Sequence, residues 1–180
     1  MADFMEMVKG RRSVRRYRDL QIPEEQLNTI LEAIRWAPSW ANTQTWEVIV
    51  VTDLVIKEKL QGTLAPGNPA TKAVLEAPVV IVLCGRLQSS GFKKGEASTK
   101  FGDWFMFDLG LASQTMCLTA YYLNLGTVIV GAFDQDKAKE ILMVPDGYDV
   151  VTLIPLGYPE REAKAPPRKE IREFVHYDTF

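Results

Sequence analysis

One long apolar helix constrains the fold more than any other feature of this sequence. Residues 104–123 form the longest helical pattern in the chain, and small residues such as Gly110, Ala112 and Ala120 are interspersed among leucines, methionines and aromatic residues. A helix that is apolar on most of its sides needs cover on most of its sides. We therefore expect this helix either at the centre of the hydrophobic core or in the interface of a dimer.

Shorter helices and strands precede and follow the long helix. Leu27, Ile30 and Ile34 recur at helical spacing, which predicts an amphipathic helix that ends near Pro38. The β-branched runs 48–51 and 79–83 predict two buried central strands. Helices and strands interleave, as is typical of the α/β and α+β classes. Further helices are expected at 4–9, 54–61, 70–76 and 135–142, and further strands at 127–130 and 150–156.

The length and composition fit one domain over residues 1–180 with one core. The chain has 180 residues, of which 47% are hydrophobic, and domains of this size are common. No apolar run approaches the roughly 20 residues that a membrane helix needs, and the N-terminal residues lack the pattern of a secretion signal. The expected location is therefore cytoplasmic, with no membrane contact.

The two cysteines and the single histidine offer little chemistry. Cys84 and Cys117 lie inside apolar stretches, and His176 lies near the C-terminus. A zinc site needs several such ligands at short spacing, and free cysteines are among the most buried residues. We expect two buried thiols without a catalytic role, no disulfide and no metal site.

Five arginines lie within residues 11–18, although the whole chain carries a net charge of −2. Guanidinium groups bind phosphate oxygens in pairs, and Ser13 adds a hydroxyl donor, so this stretch can hold a phosphate. The alternative is a solvated basic turn that pairs with surface acids. A pI near 5.5 and the lack of a wider basic stretch argue against a nucleic-acid partner.

A polar loop with two indole rings lies between the amphipathic helix and the next strand. It carries Asn42 and Gln44, whose amides both donate and accept hydrogen bonds, together with Trp40 and Trp46, which offer flat apolar walls. A planar heterocycle such as a flavin would use both. The alternative is that the polar side chains only cap the preceding helix, while Trp46 starts the next strand.

Taken in order, these motifs resemble those of the nitroreductase family over nearly the whole chain. Residues 11–17, which read Arg-Arg-Ser-Val-Arg-Arg-Tyr, resemble its N-terminal flavin motif. Residues 37–46 are similar to its second motif, in which a Pro ordinarily stands where this chain has Thr45. Two further stretches are similar to its central helix with the following glycine strand and to its C-terminal signature: 120–133, and 154–159 with 166–169.

The resemblance implies an α+β fold with a central, mixed but mostly antiparallel sheet flanked by helices. It also implies an intertwined homodimer with FMN sites at the subunit interface, in which residues 160–180 form an arm that contacts the partner. By position, the phosphate and ribityl chain would be held by Arg11, Arg12, Ser13 and Arg168, and the N1 and O2 edge by Arg15. The ring would meet Pro38, Ser39, Trp40, Asn42 and Gln44 from the partner subunit, and the backbone of Val130 and Gly131 near N5.

The implied reaction is a ping-pong reduction in which NAD(P)H donates electrons and leaves, and a nitroaromatic, quinone or related small acceptor then uses the same pocket. No side chain is expected to act as a catalytic acid, because the cofactor carries the chemistry. Residues 88–102, rich in Ser, Gly and Lys, are expected to form a mobile lid. The alternatives are a flavin-dependent dehalogenase, a flavin-cleaving enzyme, or a dimer that only stores flavin.

Overall fold

A computed structural model of the chain describes residues 3–161 and 163–180. It contains helices on both faces of one main sheet. Within the described residues the α-helices are α1 (Phe4–Gly10), α2 (Glu24–Arg35), α3 (Leu54–Gln61), α4 (Thr71–Glu76), α5 (Phe105–Tyr122) and α6 (Gln135–Ile141). The strands are β1 (Trp46–Val51), β2 (Val79–Arg86), β3 (Phe92–Lys93), β4 (Glu96–Ala97), β5 (Gly126–Thr127) and β6 (Tyr148–Gly157).

The main sheet has the strand order β1-β2-β6-β5, and each neighbouring pair is antiparallel. β2 lies inside the sheet, and each of its residues from Val79 to Gly85 is buried, as the β-branched run predicts. β3 and β4 form a separate hairpin within residues 88–102. The expected α+β class with a mostly antiparallel sheet is confirmed, and the parallel element is an isolated bridge between Ser13 and Thr127.

β1 is an edge strand, so the expectation that the run 48–51 forms a buried central strand is wrong. In the sheet order β1 has β2 on one side and no described strand on the other. Val51 is its one buried residue, and Val50 is 36% exposed. β-branched residues favour any pleated, half-buried surface, so the composition of this run could not distinguish an edge strand from a central one.

The strand expected at 127–130 is short and interrupted. β5 ends at Thr127, and Val130 then forms an isolated bridge with Leu153 of β6. Between these two points the chain leaves β6, and Ile129 is half exposed. Thr127 also pairs with Ser13, which places the N-terminal arginines beside β5.

Side chains of β2 point alternately to the two faces of the sheet, as the period of two in a strand requires. Val79, Ile81 and Leu83 pack with α2 and α5. Val80 and Val82 pack in the other cluster with α3, α4 and α6. The sheet therefore separates two apolar layers, and α5 lies in the layer with α2.

α5 is covered along one side and open along the other. Leu109, Met116 and Ala120 are fully buried, whereas Phe107 is 59% and Tyr121 39% exposed. The expected place in the core is therefore confirmed for one side of the helix. The other side leaves apolar surface uncovered in a single chain.

None of the helices in the described residues is long and apolar enough to cross a membrane. Cys84 and Cys117 are free and buried, as expected. Burial raises the pKa of the Cys84 thiol to about 11, and burial also raises the pKa of Cys117. Near neutral pH both groups therefore lack the thiolate form that reacts.

Candidate active site

Residues 11–17, called the arginine segment below, run from the end of α1 along β5. The Val14 N–H donates to the Thr127 carbonyl at 2.9 Å. At the far end the buried Tyr17 hydroxyl lies 2.8 Å from the Val14 carbonyl oxygen and 3.0 Å from that of Pro155. Burial raises the pKa of Tyr17, so this donor stays protonated. The arginine segment is thus fixed to the sheet at its middle and at its C-terminal end.

Gly126 allows this close approach. A Cβ built on Gly126 would lie 2.6 Å from a side-chain carbon of Val14, which is well inside the normal separation of two carbon atoms. Any larger residue would push the arginine segment away from β5. The glycine at the end of the central helix motif is therefore needed for packing, independently of any ligand.

Two adjoining cavities open along the arginine segment. One has a volume of about 340 Å³ and is lined by Arg11, Arg12, Tyr121 and Thr127, among others. The other has a volume of about 460 Å³ and contains Ser13, Arg15, Arg16 and Lys164 in its lining. Both share Val14, Arg161 and Ala163. Together they form one region rich in cations, called the cationic cavity below.

The arginines of this region differ in whether their guanidinium groups already have partners within the chain. Arg16 pairs with Glu76 at 2.8 Å, and Arg12 donates to the carbonyls of Lys9 and Arg11. Arg11 and Arg15 form no ion pair within the described residues. In the part of the chain that the structure describes, Arg16 is therefore the one arginine of residues 11–18 that pairs with a surface acid. At least two guanidinium groups keep donors for an external anion.

Val130 and Gly131 follow β5, but only one of them has a free donor. The Val130 N–H donates to Leu153 at 2.9 Å, and its carbonyl accepts from both Leu153 and Thr152. The Gly131 carbonyl accepts from Gln135 at 3.1 Å, and its N–H has no acceptor within the described residues. A Cβ on Gly131 would meet no atom within 4 Å. Nothing in the surrounding protein therefore requires glycine there.

Residues 37–45, called the amide loop below, have an unusual backbone. Ala41, Asn42 and Gln44 have φ angles of 46°, 57° and 48°, and non-glycine residues in this region cost on the order of 1–3 kcal/mol each. The Gln44 N–H donates to the Ser39 hydroxyl at 3.0 Å. The side chains of Asn42 and Gln44 remain exposed. The loop thus turns two amide groups outward at the expense of backbone strain.

The amide loop and the cationic cavity lie at opposite ends of α5. The Trp40 N–H donates a hydrogen bond to Asp108 in the first turn of the helix, whereas Tyr121 in its last turn lines the cavity. At 1.5 Å per residue these two points are about 20 Å apart along the helix axis. The chain therefore brings Arg11, Arg12, Ser13 and Arg15 together beside β5, but keeps Pro38, Ser39, Trp40, Asn42 and Gln44 apart from them. Val130 and Gly131 follow β5 in the chain and line neither cavity.

Sequence reasoning missed four residues of these two regions. Arg161 lines both cavities because the Glu160 N–H donates to the Arg16 carbonyl and draws the tail onto the arginine segment. No local pattern indicated this contact. Arg168 is exposed and lines neither cavity. The other three missed residues are Thr45, Ser90 and Asp108. For these the one signal in the sequence is that Thr45 replaces the usual Pro.

Comparison with known proteins identifies the family. The model of the nitroreductase family matches residues 8–76 and 67–158. An NADH dehydrogenase of Thermus thermophilus is 30% identical, with 92% of this chain and 91% of the relative covered. An FMN reductase [NAD(P)H] of Bacillus subtilis is 29% identical over the whole of this chain and 75% of its own length.

The fold agrees with this sequence match. The solved structure of an FMN-dependent nitroreductase from Clostridium difficile R20291 superimposes with a TM-score of 0.81 and 27% identity, covering 98% of this chain and all of the other. The similarity thus extends over α5, the arginine segment and the amide loop together. The chain belongs to the nitroreductase family.

Proposed function

We propose that this protein is an FMN-dependent oxidoreductase that oxidises NAD(P)H and reduces a nitroaromatic, quinone or related small acceptor in two successive steps in one pocket. The names of the relatives support the cofactor and the donor. Within the chain, the observation that carries the proposal is the cationic cavity, where Arg11 and Arg15 have no ion pair in the described residues. Uncommitted guanidinium groups beside a cavity are suited to a phosphate monoester.

The residues present fit the polar parts of FMN. In this proposal Arg11, Arg12 and Ser13 bind the phosphate and ribityl chain, with Arg161 as an additional cation and Arg168 supplied by the C-terminal arm. Arg15 lies at the N1 and O2 edge, where a cation favours negative charge on the ring. The Gly131 N–H, free within the described residues, is the better donor toward N5, because the Val130 N–H is already bonded.

In this proposal a second copy of the chain completes the binding site for the flavin ring. One chain keeps the amide loop about 20 Å from its own cationic cavity along α5. In a two-fold dimer with the open sides of α5 in contact and the helices antiparallel, each amide loop lies beside the other copy's cavity. The open side carries Phe107 and Tyr121, which supply apolar surface for such an interface. Asn42 and Gln44 then face the edge of the partner's flavin ring.

When bound, FMN supplies the ring that takes a hydride from NAD(P)H and passes the reducing equivalents to the acceptor. The chain itself binds the phosphate, holds the ring edge between an arginine and two amides, and leaves one face open to both substrates in turn. No titratable side chain is assigned a proton transfer. The protein is proposed to work in the cytoplasm, where NAD(P)H is available.

The test combines a spectrum with turnover. The purified protein is expected to be yellow, or to become so with added FMN, and to oxidise NADH or NADPH when menadione or a nitroarene is present. A flavin carrier would bind FMN but show no acceptor-dependent oxidation, which would exclude the enzymatic half of the proposal. A colourless protein that takes up no FMN would exclude all of it.

A further inference from the structure

Asp108 is a buried carboxylate that joins three distant parts of the chain. It is 1% exposed and lies in the first turn of α5. Its Oδ1 accepts from the Trp40 N–H at 3.0 Å, and its Oδ2 accepts from the Ser90 hydroxyl at 2.6 Å and from the Thr45 hydroxyl at 3.5 Å. No ion pair within the described residues includes it. A buried polar group depends on such hydrogen-bond partners.

Two of these contacts enclose the strained part of the amide loop. Ala41, Asn42 and Gln44, the residues with positive φ, lie between Trp40 and Thr45, and both of these donate to Asp108. Strained backbone persists only where its surroundings fix it. The one carboxylate is therefore placed to hold the loop in the shape that turns the two amides outward.

Thr45 is the position at which this chain departs from the usual family motif. A proline would fix φ by its ring but has no hydroxyl to donate. Thr45 is 1% exposed and donates to Asp108 instead. The side-chain hydrogen bond of Thr45 thus constrains the loop where a proline ring would do so in the usual family motif.

The third contact ties in residues 88–102, the segment expected from the sequence to act as a lid. Ser90 is fully buried, and its carbonyl accepts from the Trp104 N–H at 3.0 Å. The Trp104 ring lies 5.1 Å from the Trp40 ring between centroids and 5.4 Å from the Phe107 ring. The base of this segment and the amide loop therefore share one carboxylate and one aromatic cluster.

We infer that Asp108 is a positioning residue: it sets the ring-facing geometry of the amide loop through Trp40 and Thr45 and couples that loop to the base of segment 88–102 through Ser90. The inference rests on the proposed function, since it concerns how the amide loop meets the flavin. In this inference the Thr45 contact affects the affinity for FMN, and the Ser90 contact affects the binding of the acceptor. Asp108 governs both.

The sharpest test deletes two hydroxyl groups from the same loop. Thr45→Val removes a donor to Asp108. Thr43→Val removes a buried hydroxyl that has no hydrogen-bond partner among the described residues and no assigned part in ring contact. We expect Thr45→Val to raise the Kd for FMN about fivefold to tenfold and Thr43→Val to change it less than twofold. Thr45→Ser keeps the donor and should restore the wild-type Kd.

The coupling is tested through Ser90→Ala and Asp108→Asn. Ser90→Ala should raise the KM for menadione about threefold to fivefold with the Kd for FMN unchanged. Asp108→Asn should change both quantities, and adding Ser90→Ala to it should change the KM by less than twofold, because residues in one network are not additive. Thermal unfolding of each flavin-free variant reports whether the effect is only on stability.

Equal FMN affinity of Thr45→Val and Thr43→Val would overturn the inference, as would full additivity of Ser90→Ala and Asp108→Asn. So would an Asp108→Asn protein that unfolds earlier but keeps wild-type Kd and KM. If Asp108→Asn does not fold, the threonine pair and Ser90→Ala still decide the matter. A wild-type protein that binds no FMN would instead contradict the proposed function, so the two failures are distinguishable.

Discussion

The two ends of α5 differ in how far their polar groups are already satisfied. At the C-terminal end, Arg11 and Arg15 face open cavities without an ion pair in the described residues. At the N-terminal end, both oxygens of Asp108 are occupied by internal donors, and the Trp40 and Trp104 rings are in contact. The first end can take up an anion at Arg11 and Arg15 without breaking an ion pair of the described residues. The second end is preorganised and presents only selected side chains outward.

The two ends of α5 are thus suited to two different parts of one ligand, a phosphate and a ring. Charge-assisted hydrogen bonds to a phosphate supply affinity and tolerate flexible arginines. Recognition of a ring edge requires amides held in a fixed geometry, because donors that must reorganise contribute less. Because the two regions lie at opposite ends of one helix, the proposed FMN site needs two copies of the chain. The dimer in this proposal is part of the site.

The largest expected effect comes from separating the two ends. In a single chain Gly110 is exposed on α5, and a Cβ there would meet no atom within 4 Å. Gly110→Arg should therefore fold, and losing a helical glycine should even favour the helix by up to about 1 kcal/mol. It should nonetheless abolish the dimer and weaken FMN binding by roughly 100-fold or more, which corresponds to about 3 kcal/mol.

Sedimentation velocity and FMN titration measure the two effects of Gly110→Arg, and Gly110→Ala is the matched control. The alanine variant should stay dimeric and bind FMN as the wild type does. An arginine variant that remains dimeric with full flavin content would show that this side of α5 lies outside the interface. A monomeric variant with wild-type FMN affinity would show that one chain holds the whole site.

A smaller effect is expected within the cationic end. Removal of Arg15 takes away the cation proposed at the N1 and O2 edge. The fold should be retained, because within the described residues the Arg15 side chain donates only to the nearby Ser13 carbonyl, at 3.3 Å. Hydrogen bonds to charged groups contribute about 1.5–3 kcal/mol, so Arg15→Ala should lower the two-electron flavin potential by about 30–60 mV. Equilibration with a reference dye measures the shift.

Arg16→Ala is the control for that measurement, since Arg16 is paired with Glu76 across 2.8 Å on the surface. Exposed pairs of this kind contribute at most about 1 kcal/mol to stability. The control should leave the flavin potential unchanged. Equal shifts in both variants would mean that the potential responds to overall charge, and no shift in either would remove Arg15 from the ring edge.

How much of the fold and of the candidate site can be predicted from the sequence depends on how far apart in the chain the interacting residues lie. α5 was expected at 104–123 and spans Phe105–Tyr122, because helical periodicity is local. The arginine segment was recognised because its chemistry lies within a few consecutive residues. The amide loop was identified by its side chains, but its positive φ angles depend on contacts made elsewhere and leave no local pattern.

The missed features all depend on partners distant in sequence. Asp108 is one acid in an apolar helix, and its partners lie 18 to 68 residues away. The edge position of β1 depends on which strands follow later in the chain. Thr45 departs from the family motif in the sequence itself, yet its role depends on the buried carboxylate of Asp108 opposite it. Pairings of this kind follow from topology rather than from residue preference.

The smallest expected effect distinguishes two cations of the tail. Arg161 lines both cavities, whereas Arg168 is exposed and lines neither, although the family motif assigns Arg168 to the phosphate. Each is solvent-exposed, so each single alanine variant should weaken FMN binding by only about threefold to tenfold. The loss should grow with added salt, since screening weakens the remaining cations. Retention of FMN after dialysis at low and high salt ranks them: full retention by Arg168→Ala with loss in Arg161→Ala would assign the phosphate to the cavity cation, and the reverse result would show that the arm moves onto the site when the dimer forms.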